Sequence, residues 1–282
     1  MSASARDVCQ QPTLFDLPDP PVPGWHPSEL GSGAQVYWAT PVELASRLDA
    51  GYYVVTRRQD RLLSRLQCPL SPLSDWAEVN PASRRLHQER GYWLFDQCLY
   101  AQIRDVRDGC WQLGPGLIAQ EVSKLPVRAA YAPQPGDLLL PRVYSSLHRA
   151  VVVVETGMPL VTSSAFALLV PRSRAHGLAL LALLHHQVLG EQLWALTSGT
   201  TVRAISASKV PSVQVPHIAP GIRSAIAARV AALLEAQREI TFPELALSVK
   251  TYWLEMSLAQ RRQHVLTMTQ EIEEMIVQAL TA

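Results

Sequence analysis

Apolar and polar positions follow two different periods along this chain, and the change of period divides it. From Gln134 to Pro216 the apolar residues come in short unbroken runs. Leu138-Leu139-Leu140 follows the turn signal Pro135-Gly136-Asp137, Ala150 to Val154 makes a second run, and Leu160 to Val170 passes from polar to apolar. Such runs, bounded by Pro, Gly and Asp, predict strands. Ala175 to Leu196 is mostly apolar and long enough to predict a helix. Gly199-Thr200-Thr201 then turns the chain into the short Ile205–Val210 segment, which ends at Val213-Gln214-Val215-Pro216.

Beyond Pro216 the period lengthens. Pro220-Gly221 opens a segment in which Ile222, Ile226, Val230, Leu233, Leu234 and Gln237 recur at helical spacing, with Arg223, Arg229, Glu235 and Arg238 elsewhere. Thr241-Phe242-Pro243-Glu244 is a capping-box pattern and predicts a new helix from Pro243 to about Met256. Ser257-Leu258-Ala259-Gln260 can start or continue a further helix, striped by Leu258, Val265, Met268, Ile272, Met275, Ile276 and Ala279.

The first half is less regular. Pro12, Pro18, Pro20, Pro21, Pro23 and Pro27 remove backbone donors and predict a disordered tail over residues 1–27. Val36 to Ala39 reads as a strand, and Thr40, Pro41 and Glu43 start a capped helix to Ala50. Val54 to Leu66 reads as a helix with Leu62, Leu63 and Leu66 on one face. Arg84, Arg85, His87 and Arg90 against Glu89 make a basic loop, and Leu99 to Ile103 a strand. Gly109 to Tyr131 reads as irregular, and its Gly114-Pro115-Gly116 lacks the lysine and helix start of a phosphate loop. The expected fold class is α+β: a mixed-sheet domain over residues 28–217, then long C-terminal helices over 218–282.

Composition narrows the classes. With 48% apolar and 17% charged residues among 282, a substantial core is expected. The net charge is +1, from 25 basic against 24 acidic residues, so any nucleic-acid contact must be local. Between Gln134 and Pro216 six cations (Arg142, Arg149, Arg172, Arg174, Arg203, Lys209) face three anions (Asp137, Glu155, Glu191). Cys9, Cys68, Cys98 and Cys110 have no metal or C-x-x-C spacing, which fits free thiols in a reducing compartment. His185-His186 lacks partners at ligand spacing and is expected at a helix edge on the surface, so no metal site is expected. No leader pattern and no run long enough to span a bilayer occur, and a cytoplasmic location is expected.

Several stretches carry a resemblance. The strand–strand–strand–helix–turn order from Gln134 to Pro216 resembles the target recognition domain of type I restriction–modification specificity subunits. Arg47-Leu48-Asp49-Ala50-Gly51-Tyr52-Tyr53 is similar to the Arg-Leu-Asp-Ala-x-Tyr-Tyr entry of that family, with Gly51 where Glu is frequent. Pro69 to Asn80 is similar to its domain-opening strand. Gly136-Asp137 to Arg142 resembles its Gly-Asp-Ile-Leu-x-x-Arg line, and Gly199-Thr200-Thr201-Val202-Arg203 its Gly-Thr-x-x-Arg turn. In the loop Val143 to Arg149 the family's usual glycines are replaced by Tyr144, Ser145, Ser146, Leu147 and His148.

The resemblance implies double-stranded DNA as a partner. It places the contacts on Arg84, Arg85 and Arg90 of the basic loop, on Arg142, Tyr144, Ser145, His148 and Arg149, and on Thr200, Thr201, Arg203 and Lys209. Arginine forks onto phosphate or guanine, and small hydroxyl residues allow close approach to phosphates. Gly199 alone reads as the C-terminal stop of the preceding helix, with Thr200 and Thr201 tolerated in the turn. The resemblance also implies a separate DNA methyltransferase subunit that holds S-adenosylmethionine, so this chain needs no cofactor and no catalytic residue. Its C-terminal helices correspond to a long antiparallel, coiled-coil-like pair, here a possible route to a homodimer or to the partner enzyme. The stripe alone fits an ordinary helix packed on its own domain as well.

One motif lies outside the resemblance. Gln11-Pro12-Thr13-Leu14-Phe15 is similar to the peptide by which bacterial DNA-handling proteins dock on the sliding clamp, with Gln11, Leu14 and Phe15 as anchors. An unstructured leader is the competing reading. The functional expectation is a non-catalytic specificity subunit that directs a methyltransferase, within restriction–modification or phage defence. The alternative is a protein-binding adaptor of such a complex with little DNA specificity of its own.

Overall fold

The computed structural model describes residues 24–27, 35–38, 63–64, 66, 68–86, 98–106, 109–113, 120–122, 129–198, 203–246 and 251–281. Residues 1–57 form one compact unit and residues 58–282 another. In the first, β1 (Gly24–Pro27) pairs antiparallel with β2 (Gln35–Trp38), so residues 24–27, expected within the tail, form a strand. The Arg47–Tyr53 motif and nearly all of the Val54–Leu66 helix lie outside the described residues.

The second unit is α+β. Its strands are β3 (Leu70–Pro72), β4 (Ala77–Val79), β5 (Cys98–Ala101), β6 (Gln112–Leu113), β7 (Gln120–Val122), β8 (Ala129–Tyr131), β9 (Leu138–Pro141), β10 (Val151–Val153), β11 (Leu160–Ser163) and β12 (Phe166–Pro171). Two helices follow, α1 (Arg174–His185) and α2 (Gln187–Ala195), then β13 (Thr197–Ser198), β14 (Ala204–Ile205) and β15 (Gln214–Pro216). The long helices α3 (Pro220–Ala246) and α4 (Thr251–Thr281) complete the chain.

The unbroken apolar runs are explained by a sheet covered on both faces. The five-stranded sheet has the order β4-β12-β9-β10-β6, and a four-stranded sheet has the order β7-β5-β11-β8. Successive side chains of a strand point to opposite faces. Leu139, Val151, Val153, Phe166 and Leu168 pack with Ala101, Val106, Tyr131 and Leu160 between the two sheets. Leu138, Leu140, Val152, Ala167 and Leu169 join the other core, built with α1 and with Ile226, Val230, Leu233, Met268, Ile272 and Ile276 of the long helices. A strand buried on both sides reads as a continuous hydrophobic run. Gly177 lets α1 lie against β12, since a Cβ there would stand 2.8 Å from Pro171 Cγ.

Several expected elements differ in the structure. Leu160 to Val170 is two strands: the chain leaves the four-stranded sheet at Ser163 and enters the five-stranded one at Phe166, turning where the Ser163 hydroxyl accepts from the Ala165 N–H at 3.3 Å. Ala175 to Leu196 is two helices because His186 is extended and caps the second, its Nδ1 accepting from Val188 N–H at 3.1 Å. Gly109 to Tyr131 contains β6, β7 and β8. The helix expected to restart at Pro243 is continuous from Pro220 to Ala246, so the local capping pattern is overridden.

The helical region packs on the sheets instead of standing apart. Gln237, counted above in the apolar stripe, is buried; its Oε1 accepts from Trp111 N–H at 3.0 Å and its Nε2 donates to Gly109 O at 2.8 Å. Gln112 Nε2 donates to Leu234 O at 2.8 Å. Where α3 departs, β15 pairs antiparallel with β3, so the entry and exit of the sheet domain lie side by side. No described helix is long and apolar enough to cross a membrane.

Candidate nucleic-acid interface

The site is built on one edge of the sheets. β5 and β11 run parallel, and β12 begins opposite the end of β9, with Phe166 facing Pro141. The segments after β5, β9 and β11 therefore emerge together. Two of the arginine-bearing segments are then stitched by backbone bonds. Arg142 N–H donates to Ala165 O at 2.9 Å, Ile205 N–H to Arg142 O at 2.9 Å, and Tyr144 N–H to Arg203 O at 2.9 Å. With the Val143–Ala204 bridge and the β13–β14 pair, this makes a short ribbon. Arg142, Tyr144, Ser145 and Arg203, some sixty residues apart in sequence, are thus brought together.

The ribbon fixes some of these groups and exposes others. The Arg142 guanidinium is clamped, Nε donating to Ile205 O at 2.8 Å and Nη1 to Ser164 O at 2.9 Å. Tyr144, Ser145 and His148 are exposed, while Arg149 and Arg203 are half-buried. Tyr144 leans on Trp194 with ring centroids 5.7 Å apart, and with Ser145, His148 and Glu191 the two rings line a cleft of about 790 Å³. Lys209 is exposed on the 3₁₀ segment Ala207–Ser212 just beyond Ile205.

The remaining expected residues lie elsewhere. Arg84 and Arg85 sit beside β8, at the opposite end of β9 from Arg142, about 17 Å away by strand rise. Arg84 Nε lies 3.2 Å from Asp137 Oδ2, which also accepts from Gln134 N–H at 2.8 Å. Burial raises the Asp137 pKa, while the Gln134 N–H and the Arg84 charge oppose that shift. Arg84 is thus a counter-ion inside the turn that opens β9, and the structure does not bring it to the Arg142 group. Arg90, Thr200, Thr201 and the clamp-like Gln11, Leu14 and Phe15 lie outside the described residues.

Instead of an exposed helix edge, the paired histidines form the inner wall of the Tyr144–Trp194 cleft, His185 half-buried and His186 buried. The His185 ring stacks on Trp111 at 4.2 Å with planes 4° apart, and its Nε2 lies 2.8 Å from Ala150 O. Because the acceptor is a carbonyl, Nε2 carries the proton. Desolvation pushes the imidazole pKa down to about 4, with the Ala150 carbonyl opposing and His148 adding to the fall. His186 is buried; with Nδ1 accepting from Val188, its protonated Nε2 turns toward Glu273 Oε1 at 3.2 Å, within reach but without hydrogen-bond alignment. Burial drives both groups toward their neutral forms, the imidazole pKa down and the carboxyl pKa up. Among the described residues no cluster of His, Cys, Asp and Glu could hold a metal ion, and Cys68, Cys98 and Cys110 form no disulfide.

Three features escaped the sequence reading: Arg104 after β5, the Ser163-Ser164 turn after β11, and Trp194. Arg104 follows its strand as Arg142 follows β9, and that parallel was the available signal.

No family model matches this sequence, and no curated protein matches it. Solved structures do. A protein described under complex assembly and conformational transition of the type I R-M system is 17% identical, with a TM-score of 0.39, over 83% of this chain and 60% of that one. The type I restriction-modification S subunit from M. genitalium is 12% identical, TM-score 0.39, over 62% and 41%. The HsdS subunit from Thermoanaerobacter tengcongensis is 15% identical, TM-score 0.38, over 85% and 55%. The chain thus spans less than two thirds of each. At this depth the likeness is one of partial backbone path and says nothing about individual side chains. In that limited sense, this chain is similar to type I restriction–modification specificity subunits.

Proposed function

We propose that this chain selects a DNA sequence and leaves the reaction to a separate subunit, a DNA methyltransferase that holds S-adenosylmethionine. The observation that carries the reading is the ribbon: the two segments that resemble recognition-domain motifs, around Arg142 and Arg203, are hydrogen-bonded side by side. On it, exposed Tyr144 and Ser145 stand beside a guanidinium held in fixed geometry, an arrangement suited to reading base edges and phosphates. The proposed contact set is Arg142, Tyr144, Ser145, His148, Arg149, Arg203 and Lys209, with Arg85, Arg90, Thr200 and Thr201 retained from the resemblance alone. Arg84 is withdrawn from it because its guanidinium serves Asp137. Phosphate contacts release counterions, so affinity for duplex DNA falls steeply with salt.

The test is a binding and methylation series with the partner methyltransferase. Wild type is expected to direct methylation to one short motif, and Tyr144→Ala with Ser145→Ala to lose that selection while remaining folded. Identical methylated sites for wild type and variant remove the assignment.

The near-neutral charge of +1 favours a second reading, a protein-binding adaptor with little DNA specificity. Salt-independent or absent DNA binding in the presence of the methyltransferase supports it. Two partner proposals complete the reading: a second copy of the chain through α3 and α4, read by light scattering, and the sliding clamp through Gln11, Leu14 and Phe15. Equal clamp capture by wild type and by Leu14→Ala/Phe15→Ala rejects the latter.

A further inference from the structure

A groove of about 500 Å³ opens on the same sheet edge and shares no lining residue with the Tyr144 cleft. Its walls come from three chain segments that only the fold joins: Gln102 to Arg104 after β5, Ser163 to Ala165 between β11 and β12, and Arg142 with Val143 after β9. The side chains present are unlike those of the cleft. Two arginines, Arg104 and Arg142, share its lining with the apolar Ile103, Val143, Ala165 and Ala204. No carboxylate lines it among the described residues; the neighbouring Asp105 turns Oδ2 inward to accept from Gln102 N–H at 2.7 Å. Asp105 Oδ1 stays 3.9 Å from Arg104 Nε, with the Arg104 side chain 72% exposed, a pair too open to neutralise it.

The two cations differ usefully. Arg142 is held by Ile205 O and Ser164 O through Nε and Nη1, so its remaining N–H groups are offered in a fixed direction with little rotamer entropy left to lose. Arg104 is long and exposed and can close on whatever Arg142 orients. The two positive charges favour an anion, and the apolar residues that share the lining favour a ligand with an uncharged body attached to it.

We infer that this groove is a backbone-anchoring subsite for a phosphodiester, its phosphate held by Arg104 and Arg142 and its sugar against the apolar lining of Ile103 and Ala204. The inference rests on the DNA-selecting function proposed above and adds to it a division of labour. Arg104 fixes the strand without regard to sequence, and the Tyr144 side of the ribbon reads it.

The experiment uses the full chain and a mixed-sequence DNA duplex, since a phosphate contact is indifferent to sequence. Affinity is measured across a salt series for wild type, Arg104→Ala, Arg104→Lys and, as a control, the exposed Arg174→Ala. Losing one phosphate contact is expected to lower the slope of log affinity against log salt by about one in Arg104→Ala. Arg104→Lys restores most of that slope, because a phosphate accepts a point charge, and Arg174→Ala leaves it unchanged. A wild-type slope kept in full by Arg104→Ala overturns the groove and leaves DNA selection standing. A wild type with no salt-dependent binding overturns both. Binding of inorganic phosphate that competes with the duplex in wild type but not in Arg104→Ala supports the subsite; equal competition in both counts against it.

Discussion

The two ends of β9 are each marked by an arginine, and the two do different work. At the Asp137 end, Arg84 lies against a buried carboxylate and completes a turn. At the Arg142 end, the guanidinium is tied to carbonyls of two other segments and faces an open groove. In the sequence both are basic residues next to a predicted strand. The difference lies in what the fold sets opposite them: an anion inside at one end, neutral acceptors at the rim of a cation-lined groove at the other. A cation neutralised in the interior has nothing left for a ligand, whereas one held by carbonyls keeps its charge and gains a direction.

The largest effect that sharpens this contrast comes from the interior. Histidine buried in its neutral form is destabilising to protonate. His185 has its folded pKa lowered from 6.5 to about 4, so below pH 6.5 the unfolded chain takes up a proton that the folded chain refuses. Stability is therefore complete above that pH, falls as pH drops toward 4, and levels off beyond, with a loss on the order of 3 kcal/mol at about 1.4 kcal/mol per pH decade. Asp137, whose folded pKa is raised, works in the opposite sense: its ionised form is disfavoured, and acidification relieves that penalty. Subtracting the urea-unfolding profile of His185→Gln from that of wild type isolates the histidine. A difference that does not grow between pH 6.5 and 4 contradicts the buried, neutral ring.

Next in size, Arg84→Ala leaves the Asp137 carboxylate without its cation. Removing one member of a buried pair costs several kcal/mol; with the Arg84 side chain 23% exposed, a loss of about 2 kcal/mol in unfolding free energy is expected. The salt slope of DNA binding should stay as in wild type. A stable variant with weakened DNA binding would place Arg84 back in the interface.

Arg142→Ala acts on both sides of the comparison. It removes two hydrogen bonds from a charged donor, one of them the side-chain tie to Ile205 of β14, and lowers stability by about 1–2 kcal/mol, discounted for solvent access. Loss of sequence selection is expected alongside. The smallest effect on folding comes from Tyr144→Ala, a change at an exposed residue, within about 0.5 kcal/mol. There the folding and selection readouts separate: the melting curve stays and the preferred motif goes.

Much of the sheet was legible in the sequence because it is buried on both faces. Leu138 to Leu140 and Val151 to Val153 read as strands since neither face needs a polar residue. The hinge at His186 was not legible, because a histidine acting as helix cap through Nδ1 has no signature separate from a helical histidine. Nor was the continuation of α3 through Pro243, where long-range packing outweighs a local capping pattern. Motif order singled out Arg142 and Arg203, whose segments the fold sets side by side. Arg104 had not been singled out, because the parallel β5–β11 pairing that carries it to the same edge joins residues some sixty apart. The ion pair of Arg84 was not legible either, since a basic loop gives no sign of the buried Asp137 that its guanidinium meets.

The central claim is that this chain chooses the sequence by itself, through the exposed face of the Arg142–Arg203 ribbon. The most direct measurement is selection from a random duplex library by the purified full chain, alone and with the proposed methyltransferase partner, for wild type and for Tyr144→Ala/Ser145→Ala. The account predicts one enriched motif with wild type under both conditions, and its loss in a variant that melts like wild type. Enrichment unchanged by the substitutions, or a motif that the methyltransferase alone recovers without this chain, would contradict it.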